Sequence, residues 1–126
     1  LMSICLGLQL LGQSSDESPG EQGIGAIPIH AERFPDDLRV PQLGWNRVTA
    51  DSGCEVLGDG FAYFAHSFCV REAPEGWNAA RTNYGAPYVS ALERGAVVAC
   101  QFHPELSGDF GMGLMERWLQ RCSAPV

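Results

Sequence analysis

Apolar residues come in short blocks separated by turn residues, and the spacing inside the blocks changes along the chain. Residues 1–4, apolar except for Ser3, read as the end of a buried strand, and Gln9-Leu10-Leu11 continues beyond Cys5 as a short helix. A polar loop with no apolar period follows over residues 12–20. Residues 24–29 alternate with small residues and predict a strand. A second strand surrounds Arg33-Phe34 before Pro35-Asp36-Asp37 turns the chain. Beyond Val40 the pattern predicts short strands over residues 45–49, 61–70, 88–92 and 96–102, with glycines between them. Residues 61–68 are aromatic-rich and apolar on both faces, the pattern of a strand inside a sheet. A closing helix is expected over residues 111–121, with Met112, Met115, Trp118, Leu119 and Cys122 forming a core-packing stripe at helical spacing. With no internal repeat and no linker, residues 1–126 read as one domain.

Composition narrows the class. A chain of 126 residues can bury a real core, and a net charge of −7 argues against nucleic-acid or anionic-membrane partners. The five cysteines, Cys5, Cys54, Cys69, Cys100 and Cys122, are scattered and odd in number, so no disulfide framework is expected and a reducing cytoplasm is. None has zinc spacing, no stretch is long enough to span a membrane, and no metal or organic cofactor is expected. The Gly20, Gly23 and Gly25 cluster lacks the Lys-Ser/Thr and the following helix of a phosphate cradle, and reads as turns.

Two distant segments carry the chemistry. In Ser3-Ile4-Cys5-Leu6-Gly7 the thiol stands where a strand turns into a helix. There the unpaired N–H groups and the positive helix end favour a thiolate, and the Leu6 amide can face a developing oxyanion. This resembles the nucleophile elbow of hydrolases, with Cys in place of Ser and Ser3 where the first glycine usually stands. In His103-Pro104-Glu105, Pro104 stops the preceding strand, so His103 and Glu105 emerge together at the sheet's rim on the same side. Glu105 can then accept from His103 and fix the tautomer whose other nitrogen serves the thiol. Plainer readings stay open: Cys5 as a small buried hydrophobe, His103 as a structural group, and residues 1–12 as the apolar part of a secretory signal. The signal reading lacks a basic flank, and a metal reading of His-Pro-Glu lacks a third ligand.

Cys5-Leu6-Gly7-Leu8-Gln9-Leu10-Leu11 and Gln101-Phe102-His103-Pro104-Glu105 resemble the two signatures of class I, triad-type glutamine amidotransferases. Residues 40–46, 63–68 and 82–85 resemble one branch, the glutaminase subunit of imidazole glycerol phosphate synthase from histidine biosynthesis, and together the motifs cover essentially the whole chain. The resemblance implies an α/β fold of flavodoxin-like type: a largely parallel central sheet flanked by helices, with an antiparallel extension. It also implies a Cys5-His103-Glu105 triad, with the Cys5 sulfur within about 4 Å of a His103 nitrogen. Leu6, Gln9, Glu17, Ser67 and Phe68 would hold glutamine, and Trp45 and Asn46 would face a (β/α)₈-barrel cyclase that receives the ammonia. Read without the resemblance, Glu17 is equally an exposed loop acid and Trp45 an ordinary core aromatic.

Two departures qualify the expectation. Leu106 stands where the family usually has a lysine, and the chain begins at the elbow, so it reads as the C-terminal part of an amidotransferase without the N-terminal strands. Another class I amidotransferase, or a catalytically silent fragment of one, remains an alternative function.

Overall fold

The structure is a computed structural model that describes residues 1–123. Its elements run β1 (Met2–Ile4), α1 (Leu6–Leu10), β2 (Ser14–Ser15), β3 (His30–Arg33), β4 (Gln42–Ala50), β5 (Gly60–His66), β6 (Phe68–Cys69), β7 (Asn78–Tyr84), β8 (Ala86–Arg94), β9 (Val97–Cys100), a 3-10 turn (Pro104–Leu106) and α2 (Gly108–Ser123). Six strands form one sheet in the order β1-β9-β8-β7-β4-β5, and β2-β3-β6 form a smaller one.

The sheet is mixed, not largely parallel: β1 and β9 are its parallel pair, and the β9-β8-β7-β4-β5 succession is antiparallel. The α/β character stands, with one apolar cluster on each face of the sheet. Strand alternation divides the residues between them. Val98 and Cys100 join Phe64, Phe102 and Leu114 on one side, while Ala99 joins Leu8, Ile27 and Val89 on the other.

Local corrections follow from where backbone hydrogen bonds go. Residues 24–29 bury Ile27 and Ile29 but form no ladder. Their amides donate to the carbonyls of Leu10, Leu11 and Gly12, which the end of α1 leaves unpaired. The apolar segment 61–70 is not one interior strand: it breaks at Ser67, and β5 is the outer strand of its sheet. That edge is partly closed, because the His103 amide donates to Tyr63 O at 3.0 Å and the Tyr63 amide to Ser107 Oγ at 2.9 Å. β7 carries no clear pattern in sequence, since its buried positions are Ala79, Ala80 and Thr82 among Asn and Arg, residue types mostly depleted in strands.

The closing helix is longer than expected, and its inward face is different. Gly111 and Leu114 are buried and Phe110 and Trp118 pack behind them, whereas Met112, Leu119 and Cys122 are exposed. Two apolar stripes run along this helix at the same spacing, and close approach decides between them. A Cβ on Gly111 would lie 1.8 Å from the Pro104 carbonyl oxygen, so only the glycine face can reach the segment that follows His103.

Candidate active site

Cys5 and His103 follow β1 and β9, which are parallel neighbours. Ile4 pairs with Cys100, the Cys5 amide donates to Cys100 O at 2.7 Å, and both chains leave the sheet at the same end. Ligands of open α/β sheets collect outside such carboxyl ends. Cys5 then caps α1 with φ 54° and ψ −110°, a positive φ shared by no other non-glycine residue described. A side chain held in that costly region matches an elbow that thrusts its nucleophile out of the backbone.

The base is fixed by its own short loop. His103 caps the 3-10 turn, its carbonyl accepts from Ser107 Oγ at 2.6 Å, and its Nδ1 stands 3.0 Å from Glu105 Oε1. With Nδ1–H donated to the carboxylate, Nε2 keeps its lone pair free to take a proton. Both side chains keep contact with solvent, 24% for His103 and 44% for Glu105.

A cavity of about 190 Å³ opens at the thiol, lined by Cys5, Leu6, Gln9, Glu17, Ala65, His66, Ser67 and Phe68. It therefore gathers every residue expected to hold substrate, and it is smaller than the sites that take drug-sized ligands. His103 and Glu105 lie outside that lining. Ser67 is the residue at which the chain passes from β5 to β6, so the strand break noted above forms one wall. Glu17 is an exposed acid on the loop after β2, with its amide bonded to Ser15 Oγ at 3.1 Å.

The thiol does not behave as its helix-end position suggested. Burial pushes its pKa up, with the Glu105 and Glu17 carboxylates adding to the rise, and this outweighs the Leu6 amide and Gln101, which act the other way. Its hydrogen-bond partners are Ala65 O at 3.7 Å and Gln101 Nε2 at 3.8 Å, so the expected thiol–imidazole hydrogen bond is not among them. A thiol held neutral suits deprotonation by a base during attack, and apo sites are often looser than the reacting complex.

Beneath the cavity lies a buried polar layer. His66 Nδ1 contacts Phe68 O at 2.8 Å, and its Nε2 faces the Gln42 amide at 2.8 Å and the Tyr88 hydroxyl at 3.1 Å. Burial pulls the His66 pKa down to about 4, the Phe68 carbonyl opposes this, and the His103 charge adds to the fall. Gln9 Nε2 donates to Phe68 O at 3.3 Å and to Gln101 Oε1 at 3.0 Å. The signal available in sequence was a glutamine at the end of an otherwise apolar buried strand, a polar group that burial obliges to find partners. Among the described residues no cluster of three or more metal-ligating side chains occurs.

A cysteine elbow, a histidine paired with a carboxylate and a small cavity thus stand at the ends of two parallel strands. Residues 1–120 match the family Glutamine amidotransferase class-I, and the chain belongs to that family. Within it, the chain is 41% identical over 121 residues to imidazole glycerol phosphate synthase subunit HisH of Deinococcus radiodurans, covering 91% of this chain and 56% of that protein. It is 38% identical over 125 residues to the subunit of the same name from Escherichia coli K12, covering 95% and 63%. It is 40% identical over 125 residues to imidazole glycerol phosphate synthase hisHF of Arabidopsis thaliana, covering 94% and 21%. The chain thus spans less than two thirds of each of these relatives. A solved glutamine amidotransferase has the same fold, with a TM-score of 0.70 at 21% identity, covering 98% of this chain and 61% of that one. No described helix is long and apolar enough to cross a membrane.

Proposed function

We propose that this chain carries the glutaminase centre of an imidazole glycerol phosphate synthase and releases ammonia from glutamine. The observation that bears most weight is Cys5 at positive φ, opening onto the cavity lined by Leu6, Gln9, Glu17, Ser67 and Phe68. Identity near 40% to HisH subunits supports that branch over other class I acceptors.

The chemistry balances as two acyl transfers. Cys5 Sγ attacks the side-chain carboxamide carbon of glutamine while His103 Nε2 takes the thiol proton. The tetrahedral oxyanion faces the Leu6 amide. As the C–N bond breaks, the imidazolium returns that proton to the leaving amine, giving ammonia and a γ-glutamyl thioester. His103 next takes a proton from water, hydroxide adds to the thioester, and the proton goes back to sulfur as glutamate leaves. Glu105 holds the ring and steadies its positive charge. Glu17 suits the substrate ammonium by its charge.

The ammonia acceptor in this reading is a (β/α)₈-barrel cyclase. Trp45, 58% exposed on β4, is its contact residue. Asn46 shapes that surface from within: its amide donates to Asn83 O at 2.9 Å and its oxygen accepts from the Arg47 amide at 2.7 Å. Leu106, also exposed, offers this partner an apolar contact in place of a charge.

The test is glutamate release from glutamine by the chain, alone and with a cyclase barrel and its nucleotide substrate, with Cys5→Ala as control. Release that depends on the cyclase and vanishes in Cys5→Ala is the expected result. A folded chain that releases nothing, and whose Cys5 reacts with a glutamine-analogue electrophile no faster than Cys54 or Cys122, overturns the reading.

A further inference from the structure

The buried amides next to the thiol form a relay with only one possible direction. Its origin is the Phe68 carbonyl, which can only accept, so the Gln9 side chain must turn its NH₂ that way (3.3 Å). The second Gln9 N–H points to Gln101 at 3.0 Å, which must therefore present its oxygen. Gln101 is then left with its NH₂ toward Cys5 Sγ, at 3.8 Å. Gln101 is fully buried and Gln9 nearly so, so no solvent competes for these groups. Amide orientation is ordinarily ambiguous, and here a main-chain carbonyl fixes it for two side chains in succession.

We propose that Gln101 is the positioning residue of this centre: its NH₂ is held ready for the Cys5 thiolate, and its oxygen locks Gln9 with that residue's own oxygen turned to the substrate. The first half needs only the thiol. The second rests on the glutaminase reading: with both N–H groups committed, Gln9 meets the ligand solely as an acceptor, and with Glu17 it gives the cavity a side that selects an N–H-bearing cation. This accounts for how a thiol facing Glu105 and Glu17, both of which disfavour its ionisation, still has a donor opposing them besides the Leu6 amide.

The experiment is the pH dependence of Cys5 alkylation by iodoacetamide, followed by peptide mass spectrometry in the full chain, with Cys122 as the internal control. His103 and His66, the imidazoles nearest the site, are unchanged in every variant compared. Gln101→Met keeps the volume and removes both amide groups; its Cys5 midpoint should rise by about 0.5–1 pH unit, with alkylation about 3–10-fold slower at neutral pH and Cys122 unaffected. If that variant does not fold, Gln101→Asn, which withdraws the NH₂ by one methylene, should shift the midpoint the same way. An unchanged midpoint in a folded variant overturns the proposal. Since alkylation does not require glutamine turnover, a shifted midpoint in a chain that fails both the glutamate-release and the glutamine-analogue tests above sustains Gln101 and sinks the glutaminase reading. In an active chain, Gln101→Met should also raise KM for glutamine, and an unaltered KM overturns the Gln9 half.

Discussion

The floor and the rim of this site each hold an imidazole whose Nδ1 meets an oxygen, and they use it for opposite purposes. On the floor, His66 is 6% exposed and bonded at both nitrogens, with Phe34 edge-on at 5.1 Å and Phe64 at 5.6 Å. At the rim, His103 has one carboxylate partner and open access to water. Burial among rings disfavours the charged form of the first, while the second has a carboxylate as its partner. On the function proposed above, identical chemistry becomes scaffold or proton carrier according to solvent and neighbours. The difference also separates two kinds of damage: rim changes should cost rate, floor changes should cost stability.

The largest effect expected is at the rim. His103→Ala should lower glutamate release by about 10²–10⁴-fold with an unchanged melting temperature, and a variant that melts early would erase the contrast. On the floor, acid should do the work of a mutation. His66 is neutral when folded, with a pKa near 4, and takes up a proton near 6.5 when unfolded. Its contribution is therefore complete above about pH 6.5 and is lost as pH falls toward 4, amounting to about 3 kcal/mol. Denaturant titrations from pH 7 to pH 4 should show that slope in the wild type and lose it in His66→Phe. Gly111→Ala joins the two regions, because it drives α2 off the Pro104 carbonyl. It should destabilise the fold by about 1–3 kcal/mol and slow glutamate release as well, and loss of only one of these would mean that α2 and the His103 loop are independent. The smallest change is Glu105→Gln, which keeps an oxygen near Nδ1 and removes the charge. Turnover should fall about tenfold while Cys5 alkylation at neutral pH speeds up, since one of the carboxylates that raise the thiol pKa is gone. Both rates moving down together would contradict that sign.

Motif residues were legible in sequence because each has few interchangeable forms: a thiol at a turn, a histidine stopped by proline, a glutamate two positions on. The strand–elbow–helix start and most strands beyond Val40 were legible for the same reason, since short-range pattern determined them. What stayed hidden depends on distant partners. Residues 24–29 looked like a strand until the end of α1 claimed their amides. Met112 and Leu119 looked buried until the glycine face of α2 was chosen by a carbonyl seven residues back from Gly111. Gln101 stood in a signature without a role of its own, and its part depends on two distant partners, Gln9 and the Cys5 sulfur.

The parallel pairing of β1 with β9 has a consequence in time. It ties together groups 96 residues apart, so the thiol and its amide donor meet only through a long-range contact. Such closures come late in folding and late in synthesis, because the ribosome releases β1 long before β9. While it is being made, the polypeptide holds a cysteine with no base and no cavity. On the function proposed above, the capacity to liberate ammonia would switch on as a single event, when β9 docks beside β1.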